Sequence, residues 1–495
     1  MNNLHPLMFV GTGSDVGKSV IAAGFCRIFL QDGYHPAPFK AQNMSLNSYA
    51  TPEGLEIGRA QAVQAEAAGI PCHTDMNPIL LKPQSDHTSQ VVLNGKPVGN
   101  QSAGSYFRQE GRDVLRQEVH QAFDRLASTY NPIVMEGAGS VSEINLRKID
   151  LVNMPMAMYA KADVILVADI DRGGVFASVY GSIMLMTEEE RKHVKGIIIN
   201  KFRGDIELFK EGVKIIEDLC HIPVLGVVPY FTDIHIEEED SVSLGLKTKS
   251  AGECNNVKMI QCNNVKMIEC KKVNVAVVLL RHMSNFTDFD ALEQDPRVHL
   301  YYASSPVDIQ DADIVILPGS KSTIDDLYHL RRNGMAEAIV KAHRRGTTIL
   351  GICGGYQMMG QSVEDPDGLE GDITQMPGLG LLAVHTTITK EKTTRQVTFE
   401  FDGQKCQGYE IHQGISDTDE AIVQTDHCIG TYIHGILDNA PFVDFLLRPY
   451  VDQVKNADPF DYHAFKEQQY DKLADYIRRY VDVPAVYRIL ETKNV

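Results

Sequence analysis

The sequence predicts two α/β domains in series, each built on a mainly parallel sheet, and three observations carry that expectation. Short apolar runs alternate with helical stretches; the alternation stops near Tyr230 and resumes at Val273. A GTGSDVGKS string at 11–19 stands between one such run and a helical stretch, the setting in which a phosphate-binding loop has meaning. A second glycine-rich turn, LGICGG at 350–355, places a cysteine directly after an apolar run.

In the first domain Leu7–Val10, Pro132–Met135, Asp163–Ala168, Gly196–Asn200 and Val224–Val228 read as buried parallel strands, and Lys18–Leu30 reads as a helix. In the second, Val275–Leu280, Ile314–Leu317 and Thr348–Gly351 read as buried strands, while Thr386–Phe401 alternates like an antiparallel one. The expected division is 1–232, a linker at 233–272, a second domain at 273–448, and a helical segment at 449–495. In that last segment Tyr470, Leu473, Tyr476 and Ile477 form a packing stripe. The linker holds acidic Ile234–Asp240 and a duplication, CNNVKMIQ at 254–261 and CNNVKMIE at 262–269, too short for a solenoid unit.

Composition removes several function classes. With 47 Lys+Arg against 65 Asp+Glu, the net charge of −18 disfavours general binding to nucleic acid or an anionic membrane. A hydrophobic fraction of 43% with 23% charged residues excludes disorder as the dominant state. The 9 cysteines contain no CxxC pair, and the even spacing of Cys254, Cys262 and Cys270 matches no common zinc pattern. Met1–Val10 lacks a basic-then-apolar leader, and no apolar run reaches the ~18 residues that span a bilayer. The expectation is a cytoplasmic enzyme of small molecules, with homo-oligomerisation left open.

The first candidate site is the loop Gly11, Thr12, Gly13, Asp15, Gly17, Lys18, Ser19. Backbone N–H groups at a helix N-terminus favour phosphate, Lys18 would reach the β/γ-phosphates, and the Ser19 hydroxyl would ligate Mg²⁺. The strict pattern wants glycine at 12; here Thr12 stands there and Gly11 lies one place earlier. Glu136, Asp169, Asp171 and Asn200 end strands, where side chains face such a loop.

The second candidate site is Cys353, flanked by Gly351, Gly354 and Gly355. Strand, nucleophile and helix in that order make an elbow with cysteine in place of serine. His434, in GTYIHGIL, is the expected base, with His412 as competitor. Backbone N–H groups of Gly319, Ser320 and Gly354 are the expected oxyanion donors. A thiol acyl-transfer site and an ATP site in one chain suggest glutamine hydrolysis supplying ammonia to an acyl phosphate.

Nine segments in order carry a specific resemblance: GTGSDVGKS at 11–19, FKAQNMSLNS at 39–48, EIGRAQAVQA at 56–65, EGAGS at 136–140, DIDRGGVFAS at 169–178, NKFRGD at 200–205, SNFTDFD at 284–290, LGICGGYQMMG at 350–360 and GYEIHQG at 408–414. The chain resembles the cobyric acid synthase family, glutamine-hydrolysing amidotransferases of cobalamin biosynthesis. Its N-terminal half is also similar to dethiobiotin synthetase, whose phosphate loop shares the Thr-for-Gly variation. The resemblance implies a dethiobiotin synthetase-like P-loop domain followed by a class I glutamine amidotransferase-like α/β domain. It implies ATP, Mg²⁺, L-glutamine and adenosylcobyrinic acid a,c-diamide, amidated at carboxylates b, d, e and g to adenosylcobyric acid.

Carried onto this chain, the resemblance implies Lys40 near the γ-phosphate, Glu56 and Glu136 as Mg²⁺ carboxylates and Asn200 as a base-reading amide. It implies Cys353 and His434 as nucleophile and base. Asn43, Ser45 and Asn47, which follow Lys40, are expected near the substrate, as are Asp169 and Asp171. The wider amidotransferase class usually has His-Pro-Glu, the Glu orienting the base; here the string is His434-Gly435-Ile436. The orienting group is left open, with Glu410 and Asp438 as candidates. Two rival readings are cobyrinic acid a,c-diamide synthase, against which AQNMSLNS and DIDRGGVFA argue, and a P-loop partition or scaffold ATPase. The latter lacks its second lysine within 12–16 and has no use for Cys353.

Overall fold

Leu7–Gly11 is apolar and wholly buried, so it needs a strand on each side to satisfy its backbone. It pairs in parallel with Ile133–Glu136 and with Asp163–Asp169. The sheet continues through Val194–Phe202 to Val224–Pro229 on one side and ends at Ala37–Phe39 on the other. In this computed structural model the described residues are 3–85, 88–102, 112–237, 272–453 and 459–491. The repeat at 254–269, with Cys254, Cys262 and Cys270, lies outside them.

The chain divides into two units. The first comprises Met1–Ser45, Leu55–Glu237 and Ala464–Val495; the second comprises Leu46–Gly54 and Glu238–His463. Every strand expected in the first half is present, within a residue or two. Among the elements not expected there are the short edge strand Ala37–Phe39 and a sheet of Gln42–Met44, Ile79–Ser85, Thr88–Leu93 and Lys96–Ser102. Helix Lys18–Gln31 runs from the end of the first strand's turn and packs its buried face on the sheet.

The second unit has its own six-stranded sheet, ordered Val298–Ala303, Val273–Val278, Ile314–Leu317, Thr348–Ile352, Cys428–Thr431 and Ile422–Thr425. All pairings are parallel except the last. A second sheet is dominated by the long hairpin His385–Phe401 and Gln404–Ser416, antiparallel as the alternation predicts, and carries Ile433–His434 on its edge. One sheet therefore delivers Cys353 and the other His434.

By their contacts residues 464–495 group with the first unit and residues 46–54 with the second. Tyr470, Leu473 and Ile477 are buried in the first unit, with Tyr476 at the margin of the stripe. Arg27 pairs with Glu467 and Asp471, and Lys466 and Tyr470 converge on Glu66. Gly226 makes a close backbone approach: its strand forms a bridge with Val481, and an added Cβ would stand 2.3 Å from the Tyr480 carbonyl oxygen. Backbone cannot yield as a flexible side chain can. Gly226→Val should therefore destabilise the first unit by about 1–3 kcal/mol, read as a fall in the urea midpoint. An unchanged midpoint would mean that the C-terminal helices are not held at this strand.

Candidate active sites

The phosphate loop is shaped by two close approaches. A Cβ on Gly11 would lie 2.8 Å from the Gly13 carbonyl and 2.9 Å from Lys18 Nζ, so position 11 has room only for glycine. Gly17, at φ +94°, caps the helix, and a Cβ there would meet the Asn200 amide at 2.1 Å. Lys18 Nζ donates to the Gly13 and Gly139 carbonyls, both at 3.0 Å, so the ammonium is held inside the loop. Thr12 N–H donates to Val167 O, and Ser140 Oγ donates to Thr12 O.

Glu136 is the hub of this site. Its Oε1 accepts from Ser19 Oγ and Lys40 Nζ, each at 2.8 Å, and its Oε2 accepts from Gln64 Nε2 at 2.7 Å. Burial alone would push this carboxyl's pKa up; Lys40, Gln64 and Lys18 reverse that and hold it below the usual range, so it stays anionic. A buried carboxylate touching the Ser19 hydroxyl is a fitting donor pair for a hard divalent cation. Ser19, Lys40 and Glu136 are thus brought together as expected. Gln64 was not foreseen; the EIGRAQAVQA string contained it, but an amide on a helix gives no signal until Glu136 is placed beside it.

The other expected residues fall around this hub in different ways. Glu56 is ion-paired to Lys82 at 2.7 Å. Asn200 uses its amide nitrogen to hold the Val16 carbonyl at 2.9 Å, so it braces the loop. Asp15, at φ +56°, meets Arg172 and Lys201; Asp169 meets the same two cations, and Asp171 pairs with Arg203. Asn43 receives the Met44 N–H and donates to Gln61. Ser45 N–H donates to Leu81 O. Asn47 belongs to the second unit, where its Oδ1 accepts the Phe286 N–H at 3.1 Å.

In the second unit Cys353 occupies the sharp turn between Thr348–Ile352 and helix Gly354–Met359, at φ +53° and ψ −112°. A non-glycine residue in that region is strained, and such strain clusters at nucleophiles. The glycines permit it: a Cβ on Gly355 would lie 2.0 Å from the Leu317 carbonyl, and one on Gly354 would lie 2.8 Å from Ser320 N. Gly319 lies against His434, with an added Cβ 3.4 Å from the ring. Gly319, Ser320 and Gly354 are therefore gathered beside the thiol and the imidazole.

His434 is 1% exposed, and its Nδ1 meets Asp288 Oδ2 at 2.7 Å. Asp288 Oδ1 also accepts the Gly435 N–H at 3.1 Å. The Cys353 thiol donates to Ile411 O at 3.7 Å and lies close enough to the imidazole to raise its pKa. Burial would lower the imidazole's pKa, but Asp288 and Cys353 outweigh it and push the pKa up to about 10. The orienting group is therefore Asp288, and the two candidates read from sequence are corrected. Glu410 is engaged by Arg395 at 2.8 Å and by His412, while Asp438 sits on the turn after Gly435. The competitor His412 bonds Gly414 O and stacks on Tyr432. Asp288 was inside the SNFTDFD string, but 146 residues separate it from His434, and no spacing rule spans that distance.

A phosphate loop with a buried anionic hub, and a strained cysteine with an Asp-oriented histidine, define a glutamine amidotransferase joined to a nucleotide-binding domain. The sequence comparisons with known proteins agree. Residues 7–244 match the CobQ/CobB/MinD/ParA nucleotide binding domain, and residues 274–442 match the CobB/CobQ-like glutamine amidotransferase domain. Relatives named cobyric acid synthase are 65% identical in Bacteroides fragilis, 63% in Phocaeicola vulgatus and 55% in Parabacteroides distasonis, each covering 99% of both chains. A crystal structure of a glutamine amidotransferase aligns at 17% identity over 37% of this chain and 99% of its own, with a TM-score of 0.29. The chain belongs to the cobyric acid synthase family.

The raised pKa of His434 makes its charged form part of the fold. That contribution is complete below the ordinary histidine value of 6.5 and is lost as pH rises toward about 10. Asp288→Asn removes the main opposing charge. It should lower glutamine hydrolysis roughly 10²–10⁴-fold and flatten the loss of stability between these pH values, read by urea unfolding at a series of pH. A variant that kept both the wild-type rate and the wild-type pH slope would remove Asp288 from the site.

Proposed function

We propose that the chain amidates the b, d, e and g carboxylates of adenosylcobyrinic acid a,c-diamide, using glutamine and ATP, to give adenosylcobyric acid. The observation that carries this reading is the strained Cys353 held beside the Asp288-oriented His434 in a chain that also builds a phosphate loop. The family's name supplies the corrinoid; the geometry supports the chemistry.

In the glutaminase unit the Cys353 sulfur attacks the glutamine side-chain carbonyl as thiolate. Gly319, Ser320 and Gly354 line the place where the oxyanion develops. His434, protonated at neutral pH because of Asp288, gives its Nε2 proton to the departing nitrogen as the C–N bond breaks, and ammonia leaves. The now neutral imidazole takes a proton from water, whose oxygen opens the thioester to glutamate and restores the thiol pair. In the ligase unit the loop backbone, Lys18 and Lys40 would hold the triphosphate while a corrinoid carboxylate attacks the γ-phosphorus and ADP departs. Ammonia then displaces phosphate from the acyl phosphate.

Glu136 and Ser19 would hold Mg²⁺, which neutralises phosphate charge when bound; Glu56, paired with Lys82, is a less direct candidate. Asn200 reading the base, and Asn43, Ser45, Asp169 and Asp171 near the corrinoid, belong to the same proposal. Among the described residues no helix is long and apolar enough to cross a membrane, and we place the reaction in the cytoplasm on the nature of its substrates.

The decisive experiment is amidation of the a,c-diamide followed by mass spectrometry. Cys353→Ala should abolish product with glutamine and keep it with ammonium. Lys40→Ala should abolish product with either donor while leaving glutamine hydrolysis measurable. No mass change in the wild type with either donor would reject the corrinoid.

A further inference from the structure

Residues 46–54 come from the middle of the ligase sequence, yet they are built into the glutaminase unit. Their contacts there are specific. Asn47, 1% exposed, accepts the Phe286 N–H with its Oδ1 at 3.1 Å. Ser48 N–H returns a bond to Asn285 Oδ1 at 3.1 Å. Asn285 itself has φ +52°, caps the short turn Phe286–Phe289, and donates to the Tyr409 hydroxyl at 3.4 Å. Ala50 joins Tyr409 and Ile411 in a small apolar cluster, Tyr49 packs on Tyr409 with ring centroids 4.5 Å apart, and Gln396 Nε2 donates to Ala50 O.

Both ends of this set of contacts reach the reacting histidine. The turn Phe286–Phe289 carries Asp288, which holds His434. Tyr409 pairs with His434 across the strands and stacks on its ring at 5.3 Å and 22°. The groups facing the imidazole are thus Asp288, Cys353 and the Tyr409 ring, and segment 46–54 braces the first and the last. We infer that Asn47 is a positioning residue of the glutaminase: its amide fixes the turn that aims Asp288 at His434. The inference rests on the reading of Cys353, His434 and Asp288 as a glutaminase site. It also gives the excursion a purpose: seven residues after Lys40, the same chain sets the geometry of the ammonia-producing histidine.

The test reads the imidazole directly. The full chain would be labelled with ¹³C at histidine Cε1, and His434 assigned by its loss in His434→Gln. In Asn47→Ala the His434 titration should move down from about 10 toward 6.5, and glutamine hydrolysis should lose roughly ten- to a hundredfold in kcat. Asn47→Asp, which keeps an acceptor at the same place, should not lower the titration. Asn47→Ser makes the same test with less volume removed. Wild-type titration and kcat in the Ala and Ser variants would overturn the inference. Loss of ammonium-dependent amidation with an unmoved titration would also overturn it, and would return Asn47 to the substrate role its sequence position suggests. A lowered titration in a chain that never hydrolyses glutamine would support the positioning and reject the glutaminase reading instead.

Discussion

Both sites depend on keeping a charge where water has been removed. Asp288 and His434 are nearly inaccessible, and burial alone would drive the imidazole toward its neutral form. His434 stays charged because Asp288 lies against its Nδ1, and the other Asp288 oxygen accepts the Gly435 N–H. Glu136 solves the same problem in the other unit with a different inventory, one ammonium, one hydroxyl and one amide. Removing one member of such a set leaves the rest uncompensated, which costs more than the intact set contributes. The preorganisation that makes each site reactive therefore also makes it fragile to substitution.

Glycine placement follows from how close the backbone must come. At the cysteine turn the helix N-terminus lies on the carbonyls of the neighbouring strand, and a single Cβ at 355 would fall well inside van der Waals contact. The glycines let Cys353 alone carry the strained conformation at the turn. The phosphate loop uses the same economy. Gly11 meets the lysine and Gly17 meets Asn200, while Thr12 is held through its backbone, by Val167 O and the Ser140 hydroxyl.

What could be read from the sequence divides by range. Strands such as Leu7–Gly11 and Ile314–Leu317 announce themselves because full burial on both faces demands an unbroken apolar run. Cys353, Lys18 and Ser19 are legible because their chemistry is written within ten residues of chain. Asp288, Gln64 and the placing of the C-terminal helices are not, because each depends on a partner more than forty residues away in the chain. Glu410 illustrates the limit. It is an acid near the right strand, yet its side chain leans toward Arg395 and His412, and only the register of the hairpin decides that.

The two-sheet construction of the second unit has a consequence for how the thiol and imidazole meet. Cys353 is fixed by the central parallel sheet, and its N–H is tied to Thr431 O on the neighbouring strand. Two residues further on, Ile433–His434 leaves that sheet and joins the edge of the other, pairing with Tyr409 and Glu410. A strand that changes sheets within three residues holds its side chains to both, so the distance from thiol to imidazole is set by a short, hydrogen-bonded piece of backbone. Loops could bring the same groups together, but they would not hold a strained cysteine and a charged histidine in register through a reaction in which the imidazole gives up one proton and takes back another.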